Sequence, residues 1–274
     1  MSKEVAVKAE GQLPVGYDLD HIMKDAGAGQ NMNAGDLGIP YLALLQANSP
    51  QVNPAHAKYI EGAQAGMYMN TATGQVFGGF KKEPLVIIPC AYERTYDEWK
   101  DRDGPEGGGF VAAHGLDSGI MSKTKPNAKK KPALDNGNVV WETAKQYCLI
   151  RNPMTGRVEQ VLMTLKSSHL KMNKRWNNLI NGSTIPGTDT QAPRWLFPYA
   201  LGVQLETAGE NSWFVPTIER QEAPVSAEEY AAGRAFYQAW ASGAINVSPP
   251  TDDDAPDAGP VGQAAKAGDD EIPY

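Results

Sequence analysis

The feature that most constrains the fold is a series of short β-rich segments, separated by turns, in the middle of the chain. Aromatic and polar side chains alternate in the first of them, and this period of two is typical of strands. The segments are residues 85–96, 139–150, 158–165, 195–207 and 212–220. The chain also holds 28 glycines and 20 prolines, which argues against a long all-helical protein. The sequence therefore predicts a mainly β protein of the α+β class.

Helical spacing interrupts this pattern at three places. Leu170, Trp176 and Ile180 form one apolar face, which predicts a helix over residues 168–180. Ser226 and Glu229 form a capping box that opens a predicted helix ending near residue 243. The apolar segment 37–46 has approximate helical spacing and predicts a short helix.

The motif NTATG predicts a hairpin over residues 66–80.

From residue 84 on, the expected order is strand, long loop, strand, turn, strand, helix, strand, turn, strand. Five strands with a helix between the third and fourth form the element order of the OB-fold, a small barrel that binds oligonucleotides. We therefore expect an OB-like five-stranded barrel, although another sheet topology with one packed helix fits the same order. Residues 97–138 show no periodicity and predict a long loop, mobile when free.

Both ends of the chain differ from the middle. Residues 1–35 are rich in Gly, Ala, Asn and Asp and predict a flexible segment, and residues 246–274 predict a disordered acidic tail. The folded domain is expected at residues 36–245. No apolar run reaches the roughly 18 residues of a membrane span, and no signal peptide precedes the domain. Cys90 and Cys148 match no zinc or disulfide pattern, so we expect buried free thiols in a cytoplasmic protein.

Charge is distributed unevenly along the chain. The formal net charge is -7, yet residues 120–200 carry 13 Lys and Arg against 4 Asp and Glu. Residues 219–274 carry 3 basic and 11 acidic residues. A basic middle favours binding to nucleic acid, because lysine and arginine neutralise phosphates.

Aromatic residues are interleaved with this basic segment, and bases of a single strand stack on aromatic rings. The expected platforms are Tyr92, Tyr96, Trp99, Trp141, Tyr147 and Trp176. The expected phosphate ligands are Lys123, Lys125, Lys129, Lys130, Lys131, Arg151, Arg157, Lys171, Lys174 and Arg175. Core packing of the aromatic rings, and plain solvation of the lysine loop, are the competing interpretations.

Catalytic patterns are weak. The carboxylates Asp97, Glu98, Asp101 and Asp103 would suit magnesium in a nuclease, but the basic residues among them favour a solvated strand end. The histidines share no spacing typical of zinc ligands, and no nucleophile elbow, P-loop or HExxH motif occurs. We expect no enzyme activity, no metal and no cofactor.

The last six residues carry the most specific motif. Asp269, Asp270, Glu271, Ile272, Pro273 and Tyr274 closely resemble the acidic tip of bacterial single-stranded DNA-binding proteins, which ends in Asp-Asp-Asp-Ile-Pro-Phe. Glu271 and Tyr274 depart from that pattern but keep its charge and shape. The resemblance implies that Pro273 and Tyr274 fill a pocket on replication or recombination proteins, while the acids meet a basic rim.

The body resembles another group. The segments GIPYLALLQANSPQV, MSKT and LKSSHLKMNKRWNNL are similar to those of bacteriophage single-stranded DNA-binding proteins from podovirus-like replication modules, over residues 37–245. The resemblance implies sequence-independent binding of single-stranded DNA in phage replication or recombination, with the tail recruiting partner proteins and competing with DNA for the basic face. Homo-oligomers fit this expectation. A recombination mediator or annealing protein, a metal-dependent nuclease, and a virion or host-takeover protein whose tail mimics the host motif are the alternatives.

Overall fold

The computed structural model of the chain describes residues 38–245, except 103, 105 and 106, together with residues 24 and 247. Within these residues lie eleven strands and two α-helices, so the expected mainly β, α+β class is confirmed. The strands are β1 (Leu42–Leu44), β2 (Tyr68–Asn70), β3 (Val76–Phe77), β4 (Leu85–Trp99), β5 (Phe110–His114), β6 (Lys125–Pro126), β7 (Pro132–Ala133), β8 (Val139–Arg151), β9 (Val158–Lys166), β10 (Tyr199–Ala208) and β11 (Asn211–Arg220). The helices are α1 (His169–Asn181) and α2 (Ala227–Ala241).

The central sheet is built on β4 and β8, which pair antiparallel from Ile87 to Trp99 of β4. β9 pairs with the other edge of β8, and β10 pairs with the start of β4 and along its whole length with β11. The predicted order of five strands, with α1 between the third and fourth, is confirmed. The sheet is open, because no pairing joins β9 to β11 within the described part of the chain. The expected closed barrel is therefore not confirmed.

The N-terminal segment lies at the gap between β9 and β11. Leu162 of β9 donates its backbone N–H to the carbonyl of Pro40, at 2.8 Å. The Gln46 side chain donates to the Phe214 carbonyl and accepts from the Phe214 N–H, both at 2.9 Å. The helix predicted over residues 37–46 is wrong, because Leu42–Leu44 forms β1 of a small sheet with β2 and β3. Pairing with strand edges outweighs the local spacing of apolar residues.

The structureless loop expected over residues 97–138 is also wrong. β4 continues to Trp99, β5 pairs with its distal end, and β6 and β7 form a hairpin that joins the start of β8. The ring of Phe110 packs edge-on against Trp99, with centroids 5.4 Å apart. This part of the chain therefore extends the sheet as a β-structured arm.

A bulge in β4 decides which residues share a face of the sheet. The register with β8 shifts between Pro89 and Ala91, where proline has no N–H to donate. Before the bulge, Ile87 packs in the cluster under α1 and Ile88 packs in the cluster under α2. After it, Ala91 lies in the α2 cluster and Tyr92 against the α1 cluster, so even-numbered residues then face α1.

Both helices fill the core as their sequences predict. α1 buries Met172, Trp176 and Ile180, and α2 begins at Ser226 with both hydrogen bonds of the capping box in place. Cys90 and Cys148 are buried free thiols, as expected, and burial raises the pKa of Cys90 to about 12. None of the helices in the described residues is long and apolar enough to cross a membrane.

The predicted flexible segment at residues 1–35 and the predicted tail at 246–274 lie outside the described residues, apart from residues 24 and 247. The tip residues Asp269, Asp270, Glu271, Ile272, Pro273 and Tyr274 lie outside them as well. These expectations stay predictions.

Candidate nucleic-acid interface

Three side chains form a line on the α1 face of β4. Tyr92, Arg94 and Tyr96 are spaced by two residues, so they project from one face of the strand. Arg94 is exposed and both tyrosines are partly exposed. Arg94 forms an ion pair with Glu142 of β8, and Glu142 lies opposite Tyr96 in the strand register. The two tyrosine rings are separated by four residues, or about 13 Å along the strand.

Helix α1, whose Asn173 donates to the Tyr92 hydroxyl, carries positive charge on its outer face. Lys171, Lys174 and Arg175 are exposed, and α1 contains no acidic residue. None of the three makes an ion pair with a described residue. Their separation along the axis, four residues at most, is about 6 Å. The outer face of α1 is therefore a compact cationic surface.

A polar cluster joins α1 to β4, and Arg194 lies at its centre. Asn173 of α1 donates to the Tyr92 hydroxyl at 3.2 Å, and the buried Gln146 of β8 donates to Asn173 at 2.8 Å. Arg194 donates through Nη2 to Gln146 at 2.8 Å and to Asn177 at 3.2 Å. Its guanidinium carbon lies 5.4 Å from the centre of the Tyr92 ring, within cation–π range.

The β6–β7 hairpin carries the lysines of the arm. The side-chain oxygen of Asn127 accepts from the backbone N–H groups of Lys129 and Lys131, at 2.9 and 3.0 Å. This braced turn leaves Lys129 and Lys130 exposed at its tip, with Lys130 at a positive φ of 59°. Lys123 and Lys125 are exposed nearby in the chain, and Lys125 pairs with Asp135.

Several residues expected at the interface are instead buried or already paired. Trp176 is 0% exposed, Trp99 2% and Tyr147 5%, so none of these rings offers a face to a base in this structure. Lys131 is 5% exposed and its ammonium lies 3.0 Å from Asp101. Arg151 donates from Nε and Nη2 to one oxygen of Glu229, at 2.9 and 2.6 Å. Core packing or ion pairing thus involves these five side chains in this structure, and their role in binding nucleic acid stays a prediction.

The other expected residues are exposed but lie elsewhere. Arg157 is exposed at the end of the β8–β9 turn. Trp141 is partly exposed, and its register opposite Asp97 places it on the α2 face of the sheet. Neither belongs to the line on β4.

The carboxylates proposed for a metal point to different places. Asp97 is 1% exposed and lies 3.6 Å from the Lys145 ammonium and 3.7 Å from that of Lys166. Glu98, on the opposite face, binds His114 at 2.8 Å and Asn138 at 2.6 Å. Burial raises the pKa of Glu98, but these hydrogen bonds outweigh it and hold the pKa below its usual value. Asp103 is outside the described residues, and the described ones contain no group suited to a metal.

A groove of about 520 Å³ lies between the end of β4 and the hairpin. Lys100 and Lys125 line it together with Asp101 and Asp135, so its charged side chains balance. A balanced groove gives a polyanion no net attraction, unlike the surface of α1.

Comparison with known proteins identifies the family but no function. The model of the Pam3 phage gp34-like protein family matches residues 8–246. The chain belongs to the Pam3 phage gp34-like family. The expected phage character of this gp34-like chain is thereby confirmed. No curated protein and no solved structure matches it.

Of the residues in the candidate interface of this gp34-like chain, sequence reasoning named Tyr92, Tyr96 and the α1 cations but not Arg94 or Arg194. Arg94 could have been found, because YERTY alternates with the period of a strand. Arg194 lies in the 3₁₀ turn Arg194–Leu196, and no local pattern connects it to Tyr92, 102 positions earlier.

Proposed function

We propose that this protein binds single-stranded DNA without sequence preference, in phage DNA replication or recombination. The observation that carries the proposal is the line of Tyr92, Arg94 and Tyr96 together with the cationic face of α1, the helix that Asn173 joins to Tyr92. It combines partly exposed tyrosine rings with positive charge on α1 that forms no ion pair with a described residue, and single-strand binding requires both rings and positive charge.

The spacing of the rings favours a single strand over a duplex. Successive bases in B-DNA rise 3.4 Å along each strand, whereas the two tyrosines stand about 13 Å apart. Bases that reach both rings must leave the stack, which costs little in an unpaired strand and several kcal/mol in a duplex. The interface therefore suits an extended, unpaired strand.

The arrangement of strands supports an OB-like mode of binding. OB-folds are partly open barrels in which the loop between the first two strands contributes to the ligand site. Here that connection is the arm between β4 and β8, and its hairpin presents Lys129 and Lys130. The C-terminal tip Asp269–Tyr274 would recruit replication or recombination proteins, a role that rests on its resemblance to the bacterial tip.

The test is a titration of labelled single-stranded and duplex oligonucleotides at two salt concentrations. We expect tight, salt-sensitive binding of the single strand alone. Tyr96→Ala should weaken it by about 1–3 kcal/mol, or roughly 5- to 150-fold, since one stacking platform is lost. Tyr59→Ala removes a tyrosine that is 39% exposed outside the interface, and should leave affinity unchanged. Equal binding of single strand and duplex, or equal effects of the two substitutions, would refute the proposal.

A further inference from the structure

Arg194 is a partly buried charge that forms no ion pair in the described part of the chain. Among the described residues, its hydrogen-bond acceptors are the neutral side-chain oxygens of Gln146 and Asn177. No described carboxylate forms an ion pair with it. Burial lowers the pKa of the guanidinium. Burying a charge without an opposite partner is costly, so such a group calls for an anion.

The guanidinium of Arg194 also has N–H donors that make no hydrogen bond to a described residue. Nε is sealed from solvent and has no hydrogen-bond partner among the described residues. Nη1 likewise makes no hydrogen bond to a described residue. Arginine offers five N–H groups in a fixed fork that matches the oxygens of a phosphate or carboxylate. The amides use the two N–H groups of Nη2 and Nε is sealed from solvent, which leaves the two N–H groups of Nη1 for a ligand.

Neighbouring groups hold this fork in place. Gln146, which is 0% exposed, donates to Asn173 and Asn177, so its oxygen must turn toward Arg194. The Tyr92 ring supports the guanidinium from β4. An orientation set by a buried amide network and an aromatic ring costs little further ordering when a ligand binds.

We propose that Arg194 binds one backbone phosphate of the bound strand, and we call this position the phosphate site. This inference rests on the proposed function. A phosphate fits better than a protein carboxylate, because the ring beside Arg194 begins the line of base platforms. Lys174 lies three residues before Asn177 and is therefore its neighbour on the surface of α1. Lys174 thus extends the positive charge of the phosphate site toward the outer face of α1. A ligand there would reach the guanidinium through Nη1, which is not sealed from solvent and makes no hydrogen bond to a described residue.

The test compares the salt dependence of single-strand binding in the wild type and in Arg194→Gln. Each phosphate contact adds about 0.7 to the slope of log K against log salt. Arg194→Gln should lower that slope by about 0.7. The variant should therefore bind the single strand roughly 5-fold more weakly than the wild type at 0.1 M salt, and almost equally well at 1 M. Arg234→Gln, an exposed arginine on α2, is the matched control and should leave the slope unchanged.

A second variant separates ligand binding from folding. Arg194→Lys keeps the charge but loses the fork, so the slope should stay and affinity should fall. Urea unfolding of each variant shows whether the fold persists, and if Arg194→Gln fails to fold, Arg194→Lys alone decides. The phosphate site would be refuted if folded Arg194→Lys kept the wild-type affinity and Arg194→Gln kept the wild-type slope. That result would leave single-strand binding itself intact. A wild type that binds no single strand would overturn the proposed function itself. If Arg194→Gln lost binding to poly-glutamate but kept its binding to DNA, the phosphate site would instead be refuted in favour of a site for an acidic protein partner.

Discussion

Neutralising the outer face of α1 tests whether this surface binds the DNA backbone. The change is the triple variant Lys171→Gln, Lys174→Gln and Arg175→Gln. All three side chains are exposed and without an ion pair among the described residues, so the substitutions break no packing or bridge. Glutamine is nearly as good a helix former as lysine and arginine, so α1 should persist.

The size of the effect follows from the number of charges. If each cation neutralises one phosphate, the slope of log K against log salt falls by about 2, at roughly 0.7 per contact. A difference of that size means about 100-fold weaker binding at 0.1 M salt, and the two titration lines converge near 1 M. A loss of stacking would instead lower affinity by the same factor at every salt concentration.

The assay is fluorescence anisotropy of a labelled single strand, titrated at several salt concentrations between 0.05 and about 0.5 M, the range in which screening changes strongly. The matched control is Lys81→Gln, Lys82→Gln and Arg234→Gln, which removes the same charge from the turn before β4 and from α2. We expect the control to keep most of the wild-type slope. If both triple variants lower the slope equally, only the total charge matters, and a specific interface on α1 is refuted.

Two further predictions concern the α2 side of the sheet. Gly233→Ala should lower the free energy of unfolding by about 1–3 kcal/mol in urea titrations, because the added Cβ would lie 2.7 Å from Cβ of Trp195; an unchanged midpoint would contradict this close packing. Burial raises the pKa of Glu229, but the Ser226 backbone and Arg151 outweigh it and lower the pKa. The ionised carboxylate therefore stabilises the fold above its unfolded pKa of about 4.3, and this contribution is lost as pH falls through the folded pKa. Glu229→Gln should lower the free energy of unfolding, measured by urea titration, by about 1–3 kcal/mol at pH 7 and by much less at pH 3. An equal loss of stability at both pH values would show that the charge of Glu229 does not contribute.

The candidate site was only partly predictable for a physical reason. Tyr92 and Tyr96 could be named because exposed rings near basic residues suit single-strand binding, yet Trp99, Tyr147 and Trp176 met the same criterion and are core residues. An aromatic ring gains free energy from burial as well as from stacking, and one sequence does not show which its surroundings allow. The same holds for lysine and arginine, which bind carboxylates as readily as phosphates.

By itself, the sequence determined the local elements: the alternating strands, the capping box at Ser226 and Glu229, and the apolar face of α1. These depend on contacts among residues close in the chain, whose spacing is visible in one dimension. Only the tertiary structure decided that residues 42–44 form a strand, which exists because the edges beside it accept its hydrogen bonds. It also decided that Tyr92 and Tyr96 face α1, since the bulge at Pro89 reverses the alternation that the sequence shows.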